Sequence, residues 1–317
     1  MPLDALTIRD RIRGAFLGTA LGDAFGRPFE GVARSDLASS DVVARRAATD
    51  DSWLYSDDTE MTLGVAESIL ERGGVDPEHL LRTLARNCDP ARGYGHGTRR
   101  AFDAVRRGEP WRRAAFTTWS DGSRGNGAAV RVVPVACLYH RAFDRLDYAA
   151  QSSAVVTHAH RTARVGCMAH ARAVAIALTE VVESFDPVRF VDRVGANIGD
   201  EPAFNEKLRC VRELLAARAS LEDAVAALGN GVTADESVPI ALFAFARSPG
   251  SFDAAVVDSV SAGGDTDTIG AMTGALSGAL LGEARVPAQW LARLENASRG
   301  RDFIVSLADR FAELTSR

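Results

Sequence analysis

The sequence predicts an all-α protein, and three observations carry that expectation. Apolar residues recur at three- and four-residue spacing through most of the 317 residues. Runs of alternating β-branched residues are missing, and so is any strand–helix–strand rhythm. The breaks are short: Gly73–Gly74, Asp89–Pro90, Glu109–Pro110, Asp186–Pro187, Glu201–Pro202 and Ser248–Gly250 read as turns between helices. Length alone favours about two domains. No linker, low-complexity tract or fixed-period repeat divides the chain, however, so one domain over residues 1–317 is expected.

Taken in order, the first element is GAFLGTALGDAFG, in which Gly14, Gly18, Gly22 and Gly26 lie four residues apart. Amphipathic periodicity then predicts helices over Glu60–Arg72, Glu78–Arg86, Gly97–Arg107, Ala163–Glu183, Asn205–Arg218, Leu221–Leu228, Asp253–Val260 and Asp302–Leu314. A second glycine ladder, Gly270, Gly274, Gly278 and Gly282, runs through IGAMTGALSGALLG. Each interior helical glycine costs about 1 kcal/mol relative to alanine, so two ladders need a reason. A stripe without side chains lets another backbone approach closely. Both helices are expected to be central and to pack on each other. The acidic residues at their ends, Asp23 and Glu30 on one and Asp265 and Asp267 on the other, would then meet.

The composition is globular, with 46% hydrophobic, 25% charged and 7% aromatic residues. The core is expected to be built from alanine, valine and leucine more than from rings. A net charge of −5 offers no basic field for nucleic acid phosphates. Cys88, Cys137, Cys167 and Cys210 form no CxxC pair and read as free thiols of a reducing compartment. The start MPLDALTIRDRIRG lacks a signal-peptide layout, and the apolar run Ile269–Leu281 is too short to span a bilayer, which takes about 20 residues. The expectation is a cytoplasmic chain with no membrane partner, a monomer by default.

Two clusters could carry chemistry. In SAGGDTDT, Asp265, Thr266, Asp267 and Thr268 follow a glycine pair that would loosen the turn, and in YSDDTEMT, Ser56, Asp57, Asp58 and Thr59 precede an amphipathic helix. Helix capping explains one such residue per helix. The surplus carboxylates repel one another, which a bound cation would relieve, and their hard oxygens suit Mg²⁺, Mn²⁺ or Ca²⁺. Capping and ligation both stand at this level, with the duplication favouring a site shared by one or two ions. RGYGHGT and SRGNGAAVRVVP could each aim backbone N–H groups at an anion or simply turn between helices; neither is a Walker A or Rossmann loop. In THAHRTA, His158 and His160 read as helix caps or as polar groups of a site. A DDxxD prenyl-diphosphate site does not fit, because Met61 follows Glu60 where the third acid is needed.

In combination, GAFLGTALGDAFGRPFE, SDDTEMT, GYGHGT, GNGAAVRVVP, THAHRTA and SAGGDTDTIGAMTGALSGALLG resemble the ADP-ribosylglycohydrolase family over Arg11–Gly282. The resemblance implies a compact orthogonal bundle of helices around an ADP-ribose cleft with two Mg²⁺ ions, Mn²⁺ being the alternative. It implies metal ligands Ser56, Asp57, Asp58, Asp265, Asp267 and Thr268, with Glu30, Asp57 and Asp58 as catalytic carboxylates and Asp23 as a supporting residue. Gly93, Gly95, Gly97, Ser123, Gly125, Asn126, Gly127 and His158 would line the pyrophosphate and ribose pockets. The implied reaction is metal-dependent hydrolysis of the C1″ bond of an ADP-ribosylated protein or a related small molecule, with ADP-ribosyl-arginine first among the acceptors. A catalytically silent ADP-ribose binder is the rival. Ser56 stands where members carry threonine, and Arg161 stands where they carry proline, which bears on the local loop shape.

Overall fold

The computed structural model describes residues 4–38, 41–48, 52–196, 198–199 and 201–315; Met1–Leu3, which begin the amino-terminal stretch MPLDALTIRDRIRG, lie outside them. Among the described residues the fold is all-α, with no β-structure beyond isolated bridges between Trp53 and Leu294 and between Gly125 and Thr233. Six helices form its centre: α1 (Ala5–Gly26), α2 (Asp57–Arg72), α3 (Arg161–Ala177), α4 (Ala234–Arg247), α5 (Thr266–Leu281) and α6 (Arg301–Thr315).

Helices α1 and α5 run antiparallel with their glycine ladders in register. A Cβ placed on Gly14, Gly18, Gly22 or Gly26 would collide with the backbone carbonyl of Gly278, Gly274, Gly270 or Thr266 respectively. The two backbones touch, so each glycine is the only residue its position admits. Every residue of α5 is buried, as expected of a helix that is apolar nearly all round. α2, α3, α4 and the Phe252–Val260 helix surround α5, and α6 closes the far side of α1. One contiguous hydrophobic cluster runs from Ile8 to Ala312. It is alanine-rich, yet its largest members are aromatic: Phe25 stacks on Trp290 at 4.8 Å between ring centroids, and Trp53 meets Trp290 edge-on at 5.1 Å.

One helix boundary is corrected. The helix expected over Ala163–Glu183 ends at Ala177, because Arg11 of α1 donates to the carbonyls of Ala177, Leu178 and Glu180 and so closes its carboxyl end. Helix α4 lies outside the segments named above from periodicity; Pro239 sits inside it, and packing on most sides outweighs the missing hydrogen bond. All four cysteines are free, Cys137 and Cys167 buried, Cys88 and Cys210 half-buried. Among the described residues no helix is long and apolar enough to cross a membrane.

Candidate functional site

The antiparallel register of α1 and α5 sets the site. It brings the carboxyl end of α1 to the amino end of α5, where a short 3-10 turn (Arg27–Phe29) delivers Glu30 beside Asp265 and Asp267. A carboxylate oxygen from each of these three residues lies within 4.8 Å of the others. The Gly263–Gly264 pair tightens the turn rather than loosening it. Both residues have φ near +72°, and a Cβ would strike Arg34 at the first and Asn230 at the second.

The second cluster joins the first through a direct contact: Thr268 Oγ1 donates to Asp58 Oδ2 at 2.7 Å. Capping is resolved at both helices. Ser56 caps α2, its hydroxyl accepting from Asp58 N at 3.2 Å, which leaves Asp57 and Asp58 free of that duty. Asp265 stands at the capping position of α5 yet makes no capping bond; its carboxylate accepts instead from the Asn126 side chain. Asp23 is scaffold. It is fully buried, with Oδ1 accepting from Ser56 N at 2.8 Å and Oδ2 from Thr59 N at 3.0 Å and from the Thr59 hydroxyl. A carboxylate of α1 therefore holds the amino end of α2.

The carboxylates of the two clusters floor a cleft of about 620 Å³. Glu30, Asp57, Asp58, Asp265, Asp267 and Thr268 face it, as do Gly93, Gly95, Gly97, Ser123, Gly125, Asn126, Gly127 and His158; Ser56 does not. Gly95 precedes a helix (His96–Arg106), whose amino end opens on the cleft. Gly97 leaves room for Trp119, whose ring a Cβ there would hit. The Gly125–Asn126 strip is tied to the Val232–Ala234 loop by Asn126 N to Val232 O at 3.1 Å and Ala234 N to Arg124 O at 3.0 Å. The two histidines of THAHRTA divide the roles: His160 caps α3 through Thr162 N, while buried His158 lines the cleft. Trp119, Met61, Thr157 and Val232 also line it, and sequence reasoning misses them. It misses Arg131 behind the cleft as well, although a lone charge within the apolar run AAVRVVP is a usable signal.

Comparison with known proteins decides the family. The model of the ADP-ribosylglycohydrolase family matches residues 4–317. The chain belongs to the ADP-ribosylglycohydrolase family. It is 32% identical to the ADP-ribosylhydrolase ARH3 of Mus musculus, covering 88% of this chain and 86% of that one. It is 27% identical to the ADP-ribosyl-[dinitrogen reductase] glycohydrolase of Rhodospirillum rubrum, covering 91% and 92%. A solved "ADP-ribosylglycohydrolase-related protein complex" superposes with a TM-score of 0.74 at 27% identity, over 98% of this chain and 99% of that one.

In this ADP-ribosylglycohydrolase-family chain the acidic floor is under electrostatic load. Burial first, then Asp23, Glu30 and Asp265, push Asp57 up to about 7. Burial and the neighbouring carboxylates drive Asp58 and Asp267 well above the ordinary carboxylate range. Burial raises Asp23 to about 6 in spite of its hydrogen bonds. Partial burial and then Asp265 raise Glu30, against the pull of Arg27. The floor concentrates hard oxygen donors, a donor set suited to divalent cations.

The carboxyl-terminal segment braces one wall. Glu295 accepts from Tyr55 N at 3.0 Å and takes both guanidinium ends of Arg92, which also donates to Tyr55 O at 2.8 Å. The pair thus spans the residue before Ser56 and the residue before Gly93. Glu295→Ala is expected to cost about 2 kcal/mol, because it leaves a half-buried guanidinium with the Tyr55 carbonyl as its remaining hydrogen-bond partner among the described residues. Chemical denaturation measures this; a loss below about 0.5 kcal/mol would mean that the brace carries no load.

Proposed function

We propose that this chain is a divalent-cation-dependent ADP-ribosylhydrolase that cleaves the C1″ glycosidic bond of ADP-ribosylated acceptors, ADP-ribosyl-arginine on protein being the first to test. The observation that carries the reading is the convergence of Glu30, Asp265 and Asp267 within 4.8 Å, joined to Asp58 through Thr268, on the floor of a cleft lined by both glycine loops. The names of the ARH3 and dinitrogen reductase relatives support the ADP-ribosyl class.

The donor set fits Mg²⁺ or Mn²⁺: Asp57, Asp58, Asp265, Asp267 and Thr268 would hold the ions, with Glu30 alongside. Bound there, a divalent cation supplies Lewis-acid charge to sugar oxygens. The chain's own groups do the rest. No side chain donates to the Glu30 carboxylate among the described residues, and its raised affinity for protons suits it to take one from an attacking water. With cations bound, the floor carboxylates would be ionised and would favour the oxocarbenium character that builds at C1″ as the bond breaks. The amino end of the His96–Arg106 helix and the glycine-loop amides can hold a diphosphate and fix the sugar over the acids. Trp119, 45% exposed at the edge of the cleft, offers a flat apolar face for the base.

The test is a panel of arginine-, serine- and DNA-linked ADP-ribose substrates, each assayed with Mg²⁺ and with chelator. Turnover confined to the Mg²⁺ arm supports the reading. Tight ADP-ribose binding with no turnover of any substrate overturns it.

The crowded floor also sets a pH dependence. Asp23 near 6 and Asp57 near 7 lie above an unfolded aspartate, at about 3.9. The folded chain therefore holds protons that the unfolded chain has released. Their stabilising contribution is complete below about pH 4 and is lost as pH rises through 6 and 7. The cation-free protein should thus melt at lower temperature at pH 8 than at pH 5, and Mg²⁺ should raise the midpoint more at pH 8. An Mg²⁺ increment independent of pH would argue against cation binding at these carboxylates.

A further inference from the structure

Behind the cleft wall lies a hydrogen-bond chain that the reaction described above does not use. Arg131 is fully buried, and its Nη2 donates to Thr157 Oγ1 at 2.7 Å and to the Ser153 carbonyl at 3.1 Å. Thr157 Oγ1 lies 2.8 Å from Nδ1 of His158. The other ring nitrogen, Nε2, faces the glycine strip of the cleft: a Cβ on Gly127 would come within 3.2 Å of it, and one on Gly125 within 3.3 Å. A guanidinium has donors and no acceptor, so it takes one of the two lone pairs of the Thr157 oxygen and leaves the hydroxyl proton to be placed. The Thr157 proton then has a single acceptor within reach among the described residues, His158 Nδ1.

We propose that Arg131, acting through Thr157, fixes His158 with its proton on Nε2, so that the cleft wall presents an N–H donor to an oxygen of the bound ligand. Arg131 and Thr157 are positioning residues in this arrangement, and His158 is the group that meets the ligand. Burial, with the Arg131 charge behind it, pushes the imidazole down to about 3, so a single ring proton is present throughout the physiological range. An imidazole free to switch tautomers would part of the time present a lone pair, which repels a phosphoryl oxygen. A fixed one is preorganised. The ligand class, a sugar phosphate such as ADP-ribose, rests on the function proposed above; the tautomer does not.

Nitrogen-15 correlation spectra of the histidine-labelled full chain decide the tautomer, with His158 assigned by its loss in His158→Gln. The expected pattern is an unprotonated Nδ1 and a protonated Nε2, unchanged between pH 5 and 8. Thr157→Val removes the donor to Nδ1 while keeping the side-chain volume, and protonated Nδ1 should then be populated. Thr157→Ser keeps the hydroxyl and should restore the wild-type pattern, which separates lost chemistry from lost packing. In calorimetry, ADP-ribose affinity should fall about tenfold in Thr157→Val and stay within about twofold of wild type in Thr157→Ser. A protonated Nδ1 in the wild type, or a Thr157→Val spectrum identical to it, overturns the proposal. Failure of ADP-ribose to bind the wild type would count against the function assigned to the cleft, while the spectra still decide the tautomer.

Discussion

Asp265→Asn combined with Asp267→Asn should leave the chain folded and remove ADP-ribosyl hydrolysis. The shapes are conserved, and so are the hydrogen bonds: an amide oxygen at 265 can still accept from Asn126, and one at 267 can still accept from Thr268 N, now at 2.8 Å. What changes is charge. Two of the three carboxylates that converge within 4.8 Å become neutral, and neutral amides are poor ligands for a hard divalent cation. Loss of about 4 kcal/mol of transition-state stabilisation corresponds to a fall of about a thousandfold in kcat/KM. Without cations the double variant should melt no lower than the wild type at pH 8, because the substitutions relieve the repulsion that lifts Asp267. Full activity in the double variant would end the metal assignment. A variant that is inactive and also melts far below the wild type would show that the aspartates hold the fold rather than the chemistry.

The largest expected effect on stability lies at the glycine ladder. Gly18→Leu should prevent native folding, and Gly18→Ala should cost at least about 3 kcal/mol although alanine gains about 1 kcal/mol in helix propensity. A single added carbon at Gly18 would fall onto the Gly274 carbonyl, which belongs to the rigid backbone of a fully buried helix. No side-chain rotation can relieve that contact, so α1 and α5 would have to separate along their length. Separation would also pull Glu30 away from Asp265 and Asp267, so Gly18→Ala should weaken the proposed Mg²⁺ binding along with the fold. Gly250→Ala is the control, since a Cβ there meets nothing within 4 Å; it should change stability by less than about 0.5 kcal/mol. If Gly18→Ala is as stable as the control, the two backbones are not in contact.

Much of this is legible in the chain of residues alone. Periodicity supplies most of the helices, and the cost of helical glycine leads directly to the close pair α1 and α5. The doubled acidic segments stand out because capping needs one oxygen side chain and each segment holds several. Other features are not legible. The helix predicted over Ala163–Glu183 is too long because the group that closes α3 is Arg11, more than 160 residues away in the chain. Ser56 and Asp265 look alike in sequence, yet one caps its helix and the other does not.

The helical class, the family resemblance and the residues whose chemistry is out of proportion to local structural need are all readable from residue order. Which of them act together emerges from packing: Asp58 meets Thr268 across 210 residues, Asp23 is scaffold, and Arg131 stands behind His158. The difference is one of range. Helix period, caps and turns are set by neighbours within a few positions, whereas the pairing of distant carboxylates follows from how closely two backbones can approach. Here that distance is fixed by the absence of side chains along one face of each helix.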